Sequence, residues 1–422
     1  MRTPAVAATV AILVCGTAVA ADRSTASSGD AKPVPVTQIE PSPREDTISA
    51  LDNPNAPGLP RPLVDPKDIR SGGPPPDGIP ALDHPKFLRA SDVKSLKGRE
   101  PVLAIEIGDD SRAYPIEIMT WHEIVNDTVD NTPVTVSYCP LCNSAIAYDR
   151  RLGNRILGFG TSGKLYQSAL VMYDRQTESL WSHFTAQAVA GVLTGAQLQT
   201  IPVALVSWRD WRHAHPRGLV LSRDTGFDRP YGRNPYPGYD DVNTPPFLYS
   251  GKVDGRFAAK ERVTGVRNGD DAIAILNRDL KRHPAIETSV GGRDVVVWRK
   301  PGTASALDDS DLPNGRDVGA IGAFEPVVDG QHLTFEATKD GFRDHETGSS
   351  WDVLGRATSG ALGGRQLTPV EHVDTFWFAW AAFQPNTRVV DAGRGPEPDQ
   401  EAHGGTQADD EGARKPPRAS PR

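Results

Sequence analysis

The sequence predicts a mainly β or α+β protein, built from two tandem homologous units of short antiparallel strands with a few helices. Short runs of β-branched and apolar residues alternate with turn signals, and the same motifs occur twice in the same order. The chain of 422 residues contains 40 glycines and 37 prolines, which favours many short elements joined by turns over long helices.

The duplication appears as matching positions at a nearly constant spacing. YDRQTESLW around Trp181 matches RDHETGSSW around Trp351, and Trp211 in the same way matches Trp380. Other matched pairs are Glu100 and Glu261, Gly108 and Gly269, and His122 and His283. We therefore predict one folding unit used twice, with a loop insertion in the second copy.

Residues 1–20 have the pattern of a secretory signal peptide. Arg2 precedes an apolar run over residues 5–14, and the small residues at 18–20 are typical of a cleavage site. The run is too short to span a bilayer, and no other apolar stretch reaches that length. We expect an exported protein, periplasmic or extracellular, without a transmembrane segment in the mature chain. The valine before Cys15 argues against lipoprotein anchoring at that cysteine.

Composition divides the rest of the chain. Residues 21–76 and 392–422 are poor in large apolar residues and rich in small and polar ones, so both are predicted to be disordered. Between them lie a first unit at 77–222, a connecting strap at 223–260 and a second unit at 261–391. Many aromatic residues stand among the prolines of the strap, which favours a segment packed across both units over an aromatic wall for a ligand.

Within the first unit, the segments PVLAIEIGDDSRAYPI, TPVTVSY, NSAIAYDR and ALVMYDRQTESLW predict antiparallel strands with turns at Gly108 and around Thr177. IMTWHEIVND and VSWRDWRHAHP predict helices, the second ending before Pro216, and TFWFAWAAFQP repeats that helix in the second unit. At the turn of YDRQTESLW, Asp174 and Thr177 are expected to bond the local backbone while Trp181 fills the core.

The two units differ in their cysteines. The first reads YCPLCNSA, with Cys139 and Cys142, where the second reads RKPGTASA, with Lys300 and Thr303. Because the needs of the fold should be shared, this difference points to chemistry. The pair stands between two predicted strands, so one turn should bring the sulfurs together, at least partly accessible to solvent. So small a ring closes little chain entropy, which makes a purely stabilising disulfide a poor explanation.

Three interpretations of the pair stay open. As a redox dithiol, one thiolate would be resolved by its neighbour, and Pro140 would stiffen the loop. As a soft-metal site for copper or zinc, Cys139 and Cys142 would need further ligands. The candidates are His183, which has no counterpart in the second unit, then His122, and then Met172 as a thioether for copper(I).

The third interpretation belongs to another class. The chain would be a non-catalytic extracytoplasmic binding or scaffolding module, with the aromatic strap as its contact surface. A formal net charge of -8 gives no broad basic surface, so nucleic acid is not expected as a partner, and an extracytoplasmic protein partner remains open. The sequence does not identify a substrate or a reaction, and it leaves open whether the protein is an enzyme.

Four motifs together carry a resemblance. AYPIEIMTWHEIVNDT, VSYCPLCNSAIAYDR, GTSGKLYQSALVMYDRQTESLWSHF and DTGFDRPYGRNPYPGYD follow one another in the chain. This set resembles the bacterial and archaeal family known as domain of unknown function 3179, over about residues 77–391. The resemblance implies that the CPLC motif and the DRxTxSLW segment belong to the signature of the family, and it implies no activity.

Overall fold

Short strands make up most of the regular structure in residues 31–391, the part of the chain that this computed structural model describes. The sheets are almost entirely antiparallel, and the described residues contain only four short helices, which confirms the predicted mainly β class. The predicted signal peptide at 1–20 with Cys15, the first part of the predicted spacer at 21–30 and the predicted tail at 392–422 lie outside the described residues.

The elements up to residue 222 are β1 (Ile69–Ser71), β2 (Phe87–Arg89), β3 (Pro101–Ile107), β4 (Asp110–Pro115), α1 (Ile116–His122), β5 (Ile124–Val129), β6 (Thr132–Cys139), β7 (Ser144–Asp149), β8 (Arg151–Leu152), β9 (Arg155–Ile156), β10 (Phe159–Tyr166), β11 (Ala169–Asp174), β12 (Leu180–Ser182), β13 (Ala188–Ala190), β14 (Thr200–Ile201), β15 (Ala204–Ser207), α2 (Trp208–Ala214) and β16 (Leu219–Leu221). Those after residue 260 are β17 (Arg262–Asn268), β18 (Asp271–Leu276), α3 (Asn277–Arg282), β19 (Ala285–Val290), β20 (Arg293–Lys300), β21 (Ala320–Phe324), β22 (Val327–Val328), β23 (Gln331–His332), β24 (Phe335–Ala337), β25 (Phe342–Asp344), β26 (Ser350–Trp351), β27 (Ala357–Ser359), β28 (His372–Phe376), α4 (Trp377–Phe383) and β29 (Arg388–Val389). Short 3-10 turns cover Pro66–Asp68 and Leu312–Asn314.

Three sheets consist of strands from the N-terminal half, here residues 77–222, together with β1, which precedes it. Their strand orders are β15-β3-β4-β16-β2, β14-β7-β6-β5 and β1-β10-β11-β12-β13. The C-terminal half, residues 261–391, contains the orders β28-β17-β18-β29, β19-β20-β21 and β24-β25-β26-β27. In each half a hairpin is followed by a short helix and a second hairpin, and one late strand pairs in parallel, β16 with β4 and β29 with β18.

One predicted helix is shorter than expected. The pattern IMTWHEIVND predicted a helix, but α1 ends at His122 and the IVND residues belong to β5. Glu123 ends the helix because its φ is 58°, its N–H donates to the Met119 carbonyl oxygen (2.7 Å), and its own carbonyl oxygen accepts the Tyr138 N–H (2.8 Å). The last bond is long-range in sequence and cannot be read from local periodicity. The helices predicted around Trp208 and Trp377 are confirmed.

Residues 33–76 follow an ordered path along the body, which corrects the prediction of a disordered spacer at 21–76 for this stretch. Ala50 and Leu51 are buried, the Leu63 N–H donates to the Val189 carbonyl oxygen (2.9 Å), and β1 pairs with β10. A segment with few apolar residues is ordered here because its backbone groups pair with exposed groups of a formed sheet, so it needs no core of its own.

The turn after β11 and the turn after β25 contain the same hydrogen bonds. The Trp181 Nε1–H donates to Asp174 (2.8 Å), and the Thr177 N–H donates to the same carboxylate (2.7 Å). The Trp351 Nε1–H likewise donates to Asp344 (2.9 Å). The expected local roles of the aspartate, threonine and tryptophan are therefore confirmed. Within residues 31–391, no helix is both long and apolar enough to cross a membrane.

The strap at 223–260 contains no helix or strand within the described chain and is held by side-chain contacts. The Tyr231 hydroxyl contacts His122 Nε2 (2.6 Å), and the Tyr239 hydroxyl donates to the Leu141 carbonyl oxygen (3.0 Å). On the other side, the Trp377 Nε1–H donates to the backbone of the strap at residue 254 (3.1 Å). The strap thus contacts both halves, and it covers the turn that carries the cysteines.

Candidate thiol site

Both cysteines lie on one tight turn between two strands. β6 ends at Cys139, β7 begins at Ser144, and these two residues face each other in the register of the hairpin. The Asn143 N–H donates to the Pro140 carbonyl oxygen (3.2 Å). Asn143 has a φ of 51°, a left-handed conformation that asparagine tolerates better than most residues. Cys142 is therefore held three positions from Cys139 on a closed turn.

The thiols are buried, which corrects the prediction that they are partly accessible. Cys139 is 2% exposed and Cys142 is fully buried, and within residues 31–391 neither forms a disulfide. Two neighbours cover the turn from outside the N-terminal half. The Thr375 hydroxyl donates to the Cys142 carbonyl oxygen (2.7 Å), and Tyr239 of the strap bonds the carbonyl oxygen of Leu141. Sequence spacing predicted the turn but not the parts of the chain that cover it.

A buried chain of hydrogen bonds leads away from Cys142. Its Sγ contacts Ser144 Oγ (2.9 Å), Ser144 Oγ contacts His183 Nε2 (2.7 Å), and His183 Nδ1 contacts Ser137 Oγ (2.8 Å). The Tyr148 hydroxyl fixes the backbone by donating to the His183 carbonyl oxygen. Burial lowers the pKa of His183 to about 3, so the imidazole is neutral. His183 therefore acts on Cys142 only through Ser144.

The two thiols differ in acidity. Burial raises the pKa of Cys139, but hydrogen bonds from the Cys142 thiol and from the N–H groups of Cys142, Leu170 and Leu141 outweigh burial and bring the pKa below its usual range. Burial, together with the hydrogen bond given to Cys139, raises the pKa of Cys142 well above its usual range. Of the two thiols, Cys139 is therefore the more acidic.

A carboxylic acid lies beside the cysteines. The backbone bond from Tyr138 to Glu123 places Glu123 next to the end of β6. Burial, and after it the negative charge of Cys139, raises the pKa of Glu123 well above its usual range. Burial likewise raises the pKa of Tyr236 in the strap, and the charges of Glu123 and Cys139 add to the effect. Glu123 and Tyr236 are therefore both buried groups whose pKa values are raised near Cys139.

Sequence reasoning missed Glu123 and Ser144, and the comparison between the two halves contained a signal for Glu123 alone. At the spacing that matches His122 to His283, Glu123 falls on Pro284, so the acid disappears from the C-terminal half together with the cysteines. At the same spacing Ser144 falls on Ser305, so this serine is present in both halves. Only the cysteines stood out because Glu123 lies inside an apparently helical pattern.

The predicted metal ligands are engaged in other contacts. Both ring nitrogens of His183 contact serine hydroxyls, while His122 Nδ1 contacts the Pro80 carbonyl oxygen (2.7 Å) and its Nε2 contacts Tyr231. Met172 is buried on β11, paired across the sheet with Trp181. Across the described chain, no group of three or more His, Cys, Asp or Glu side chains is arranged to hold a metal ion.

The C-terminal half supplies the polar support of the turn. Arg262 donates to Asn143 Oδ1 (3.1 Å) and forms an ion pair with Asp374 (3.2 Å), and the Asn143 amide donates to the Asp374 carbonyl oxygen (3.4 Å). The half without cysteines therefore fixes the conformation of the cysteine turn, because its charged groups bond the residue next to Cys142.

Comparisons with known proteins agree with the four motifs. A family model described as "Protein of unknown function (DUF3179)" matches residues 76–387, a range that contains all of the residues described above for the thiol site. No curated protein and no solved structure matches the chain. On the strength of the family match, which covers most of the sequence, the chain belongs to the family Protein of unknown function (DUF3179).

Proposed function

We propose that the protein carries out thiol–disulfide exchange at Cys139 and Cys142. The observation that supports this most directly is that two free cysteines stand on one tight turn, where Cys139 faces Ser144 and Cys142 Sγ contacts Ser144 Oγ. The thiolate is the nucleophile in such reactions, and the second thiol resolves the intermediate. Cys139 is the nucleophile, and Cys142 is the resolving thiol.

The exchange proceeds in two steps. The Cys139 thiolate attacks one sulfur of a partner disulfide, forms a mixed disulfide and releases the other sulfur as a thiol. Cys142 then attacks Cys139 Sγ, which closes the disulfide between the two cysteines and releases the second partner thiol. The ends of a four-residue turn lie within about 7 Å of each other, which suits this step. Thr375 and Ser144 hold Cys142 in place.

We favour redox exchange over binding of copper or zinc because the candidate donors are engaged elsewhere. A closed zinc site needs about four ligands. Both His183 and His122 have their two ring nitrogens in other contacts, so ligation would break hydrogen bonds of buried groups. A dithiol needs only the two sulfurs, and for a partner disulfide to reach Cys139, which is 2% exposed, the strap that covers the turn must move aside.

The experiment is a redox titration of purified, reduced protein in glutathione buffers, read by thiol counting and mass spectrometry. We expect both thiols to be lost together and regained reversibly, at a potential above the roughly -300 mV of inert structural disulfides. One equivalent of copper(I) or zinc should leave thiol reactivity unchanged. Protection of both thiols by one equivalent of metal, lost in His183→Ala, would instead establish the metal site.

A binding or scaffolding role is the second candidate, favoured by the surface of the strap. Among the large apolar residues that the described chain exposes, four belong to the strap: Phe227, Val242, Phe247 and Leu248. If the redox titration finds no reversible couple in the wild-type protein, this role becomes the preferred one. The two roles are compatible with one surface, because a disulfide-bearing partner must reach the turn that the strap covers.

We infer that the two halves are homologous units and that the protein is exported. The parallel order of hairpin, helix and hairpin, the paired Asp–Trp turns and the matching motifs support the duplication. The sequence of residues 1–20 supports export to the periplasm or beyond, a compartment where disulfides persist. N-terminal sequencing of protein from the native host should find Ala21 first, and an N-terminus at Met1 would rule out signal cleavage.

A further inference from the structure

We propose that Ser144 and His183 form a proton relay that takes the proton of Cys142 when this thiol attacks Cys139. Ser144 contacts the reacting sulfur, and His183 acts only through Ser144, as the residue that positions the hydroxyl and receives its proton. The proposal rests on the proposed thiol exchange and assigns further residues to its second step. It is carried by the three buried contacts that join Cys142 to Ser144, His183 and Ser137.

The direction of each hydrogen bond follows from the far end of this chain. Ser137 Oγ donates to the Ile146 carbonyl oxygen (3.0 Å), which can only accept, so the Ser137 hydroxyl has no proton left for His183. His183 Nδ1 therefore carries the ring proton and donates to Ser137 Oγ (2.8 Å). Nε2 is then an acceptor, and the Ser144 hydroxyl donates to it (2.7 Å).

The Ser144 hydroxyl faces Cys142 as an acceptor, because its own proton is directed at His183. Cys142 Sγ lies 2.9 Å from Ser144 Oγ and 3.9 Å from the Cys139 carbonyl oxygen, so the S–H proton is directed at the serine. A hydroxyl that donates one hydrogen bond is a stronger acceptor of the next, so the three contacts reinforce one another. Cys142 is thus held as a thiol with a path for its proton.

The fold does not require these polar groups. At the spacings that match the two halves, Ser137 falls on Trp298 and His183 falls on Val353, and both of these apolar side chains are buried. Burying polar groups is costly unless each of them is satisfied, so a site that apolar residues can fill has no structural need of them. The residues that orient Ser144 therefore accompany the cysteines and not the fold.

Cys142 needs a relay because it is the less acidic of the two thiols. Burial, together with the hydrogen bond given to Cys139, raises the pKa of Cys142 well above its usual range, so its free thiolate is scarce near neutral pH. Burial lowers the pKa of His183 to about 3, which leaves the imidazole neutral and able to accept a proton. A weak base suffices here, because the sulfur becomes a far stronger acid as its bond to Cys139 forms.

Protons and electrons balance in this step. Cys142 Sγ bonds to Cys139 Sγ, the bond between Cys139 and the partner sulfur breaks, and the partner sulfur leaves with the electron pair as a thiolate. The Cys142 proton passes to Ser144 Oγ while the Ser144 hydroxyl proton passes to His183 Nε2. Because burial disfavours the imidazolium, its proton then passes to the solvent, which protonates the partner thiolate. The two cysteines are oxidised, and the partner disulfide is reduced to two thiols.

The test follows both steps of the exchange in one experiment. Reduced protein is mixed with glutathione disulfide, quenched with acid at intervals and analysed by intact-mass spectrometry, which separates the reduced, the glutathione-bound and the internally disulfide-bonded forms. In Ser144→Ala and His183→Gln the glutathione adduct should form at the rate of the wild type. Its conversion to the internal disulfide should be about 100-fold slower, which is a usual contribution of a general base.

The pH dependence of this conversion distinguishes a relay from a merely structural role. In the wild type His183 stays neutral between about pH 5 and 8, so the rate should be nearly constant there. Without the relay the conversion needs the free Cys142 thiolate, and its rate should rise about tenfold per pH unit. The neighbouring phenols of Tyr138, Tyr148 and Tyr239 do not titrate in this range, because burial raises their pKa values well above the usual range.

His215→Gln is the matched control and should behave as the wild type. His215 is also a buried histidine, and burial lowers its pKa to about 4, but its ring contacts Trp211 and Glu106. Equal rates and equal pH profiles in the wild type, Ser144→Ala and His183→Gln overturn the relay and leave thiol exchange standing. A wild-type protein that forms neither the adduct nor the internal disulfide overturns both.

If neither substituted protein folds, the wild-type protein alone decides. Proton transfer during the conversion makes it slower in deuterium oxide, so we expect a solvent isotope effect of about two or more together with the flat pH profile. A wild-type rate that rises about tenfold per pH unit and shows no isotope effect belongs to a free thiolate, and this result overturns the relay.

Discussion

Replacing Cys139 by serine will abolish disulfide exchange, whereas replacing Cys142 by serine will stop the reaction at a mixed disulfide. Cys139 is the acidic thiol, so its loss removes the attacking thiolate and should lower the rate of reaction with glutathione disulfide on the order of 1,000-fold or more. In Cys142→Ser the first step survives and the second has no nucleophile. Intact-mass spectrometry should then show one covalently bound glutathione per protein.

The serine substitutions also serve as their own folding controls. Each exchanges one small buried group for another of similar shape, so we expect the free energy of unfolding to fall by only about 1 kcal/mol. If unfolding is instead the main effect of Cys139→Ser, or if Cys142→Ser accumulates no adduct while Cys139→Ser retains activity, the assignment of the two roles is wrong. A reversed pattern would make Cys142 the nucleophile.

Local patterns were sufficient for the class of fold because they act over short distances. The turn at Gly108, the helix that stops before Pro216 and the Asp174 turn all depend on residues within one segment, and the structure has each of them. Residues 33–76 and the end of α1 were predicted incorrectly for one shared reason. Both are determined by hydrogen bonds to parts of the chain that are distant in sequence. Composition and periodicity describe only local sequence, so they do not predict such bonds.

The candidate site likewise combines features that follow from local sequence with features that depend on distant parts of the chain. Cys139 and Cys142 could be found because they differ between two otherwise matching segments, and their turn follows from their spacing. Their burial could not be predicted, since it depends on Tyr239 in the strap and on Thr375 in β28. The choice among the metal candidates also needed the structure, because only coordinates reveal that the ring nitrogens of His183 are already engaged.

The role of the C-terminal half follows from these contacts. It lacks the cysteines and the acid, yet Arg262 and Asp374 bond Asn143, and Thr375 bonds the carbonyl group of Cys142. A turn whose backbone groups are fixed from outside changes shape less when its sulfurs change oxidation state. Under the proposed thiol exchange, the N-terminal half would carry the reacting sulfurs and the C-terminal half would preserve the geometry of their turn.

Removing the aspartate of either Asp–Trp turn will destabilise the protein by a similar and large amount. In Asp174→Ala, the Trp181 Nε1–H and the Thr177 N–H lose their acceptor, and in Asp344→Ala the Trp351 Nε1–H and the Thr347 N–H lose theirs. Unsatisfied buried donors of this kind cost about 3 kcal/mol in all, because water cannot replace the lost carboxylate. Urea unfolding, followed by tryptophan fluorescence, measures the change.

The control is Asp294→Ala, at a side chain that is 65% exposed, where the change should stay within about 0.5 kcal/mol. Equal losses at the two turns would mean that both halves depend on the same hydrogen-bonded unit, as duplication requires. If one substitution lowers the free energy of unfolding strongly and the other does not, the shared sequence motif serves different purposes in the two halves. Equivalent buried donors should cost the same stability when they lose their acceptor. The two substitutions are distant in the sequence and share no partner, so the double variant should lose the sum of the two effects.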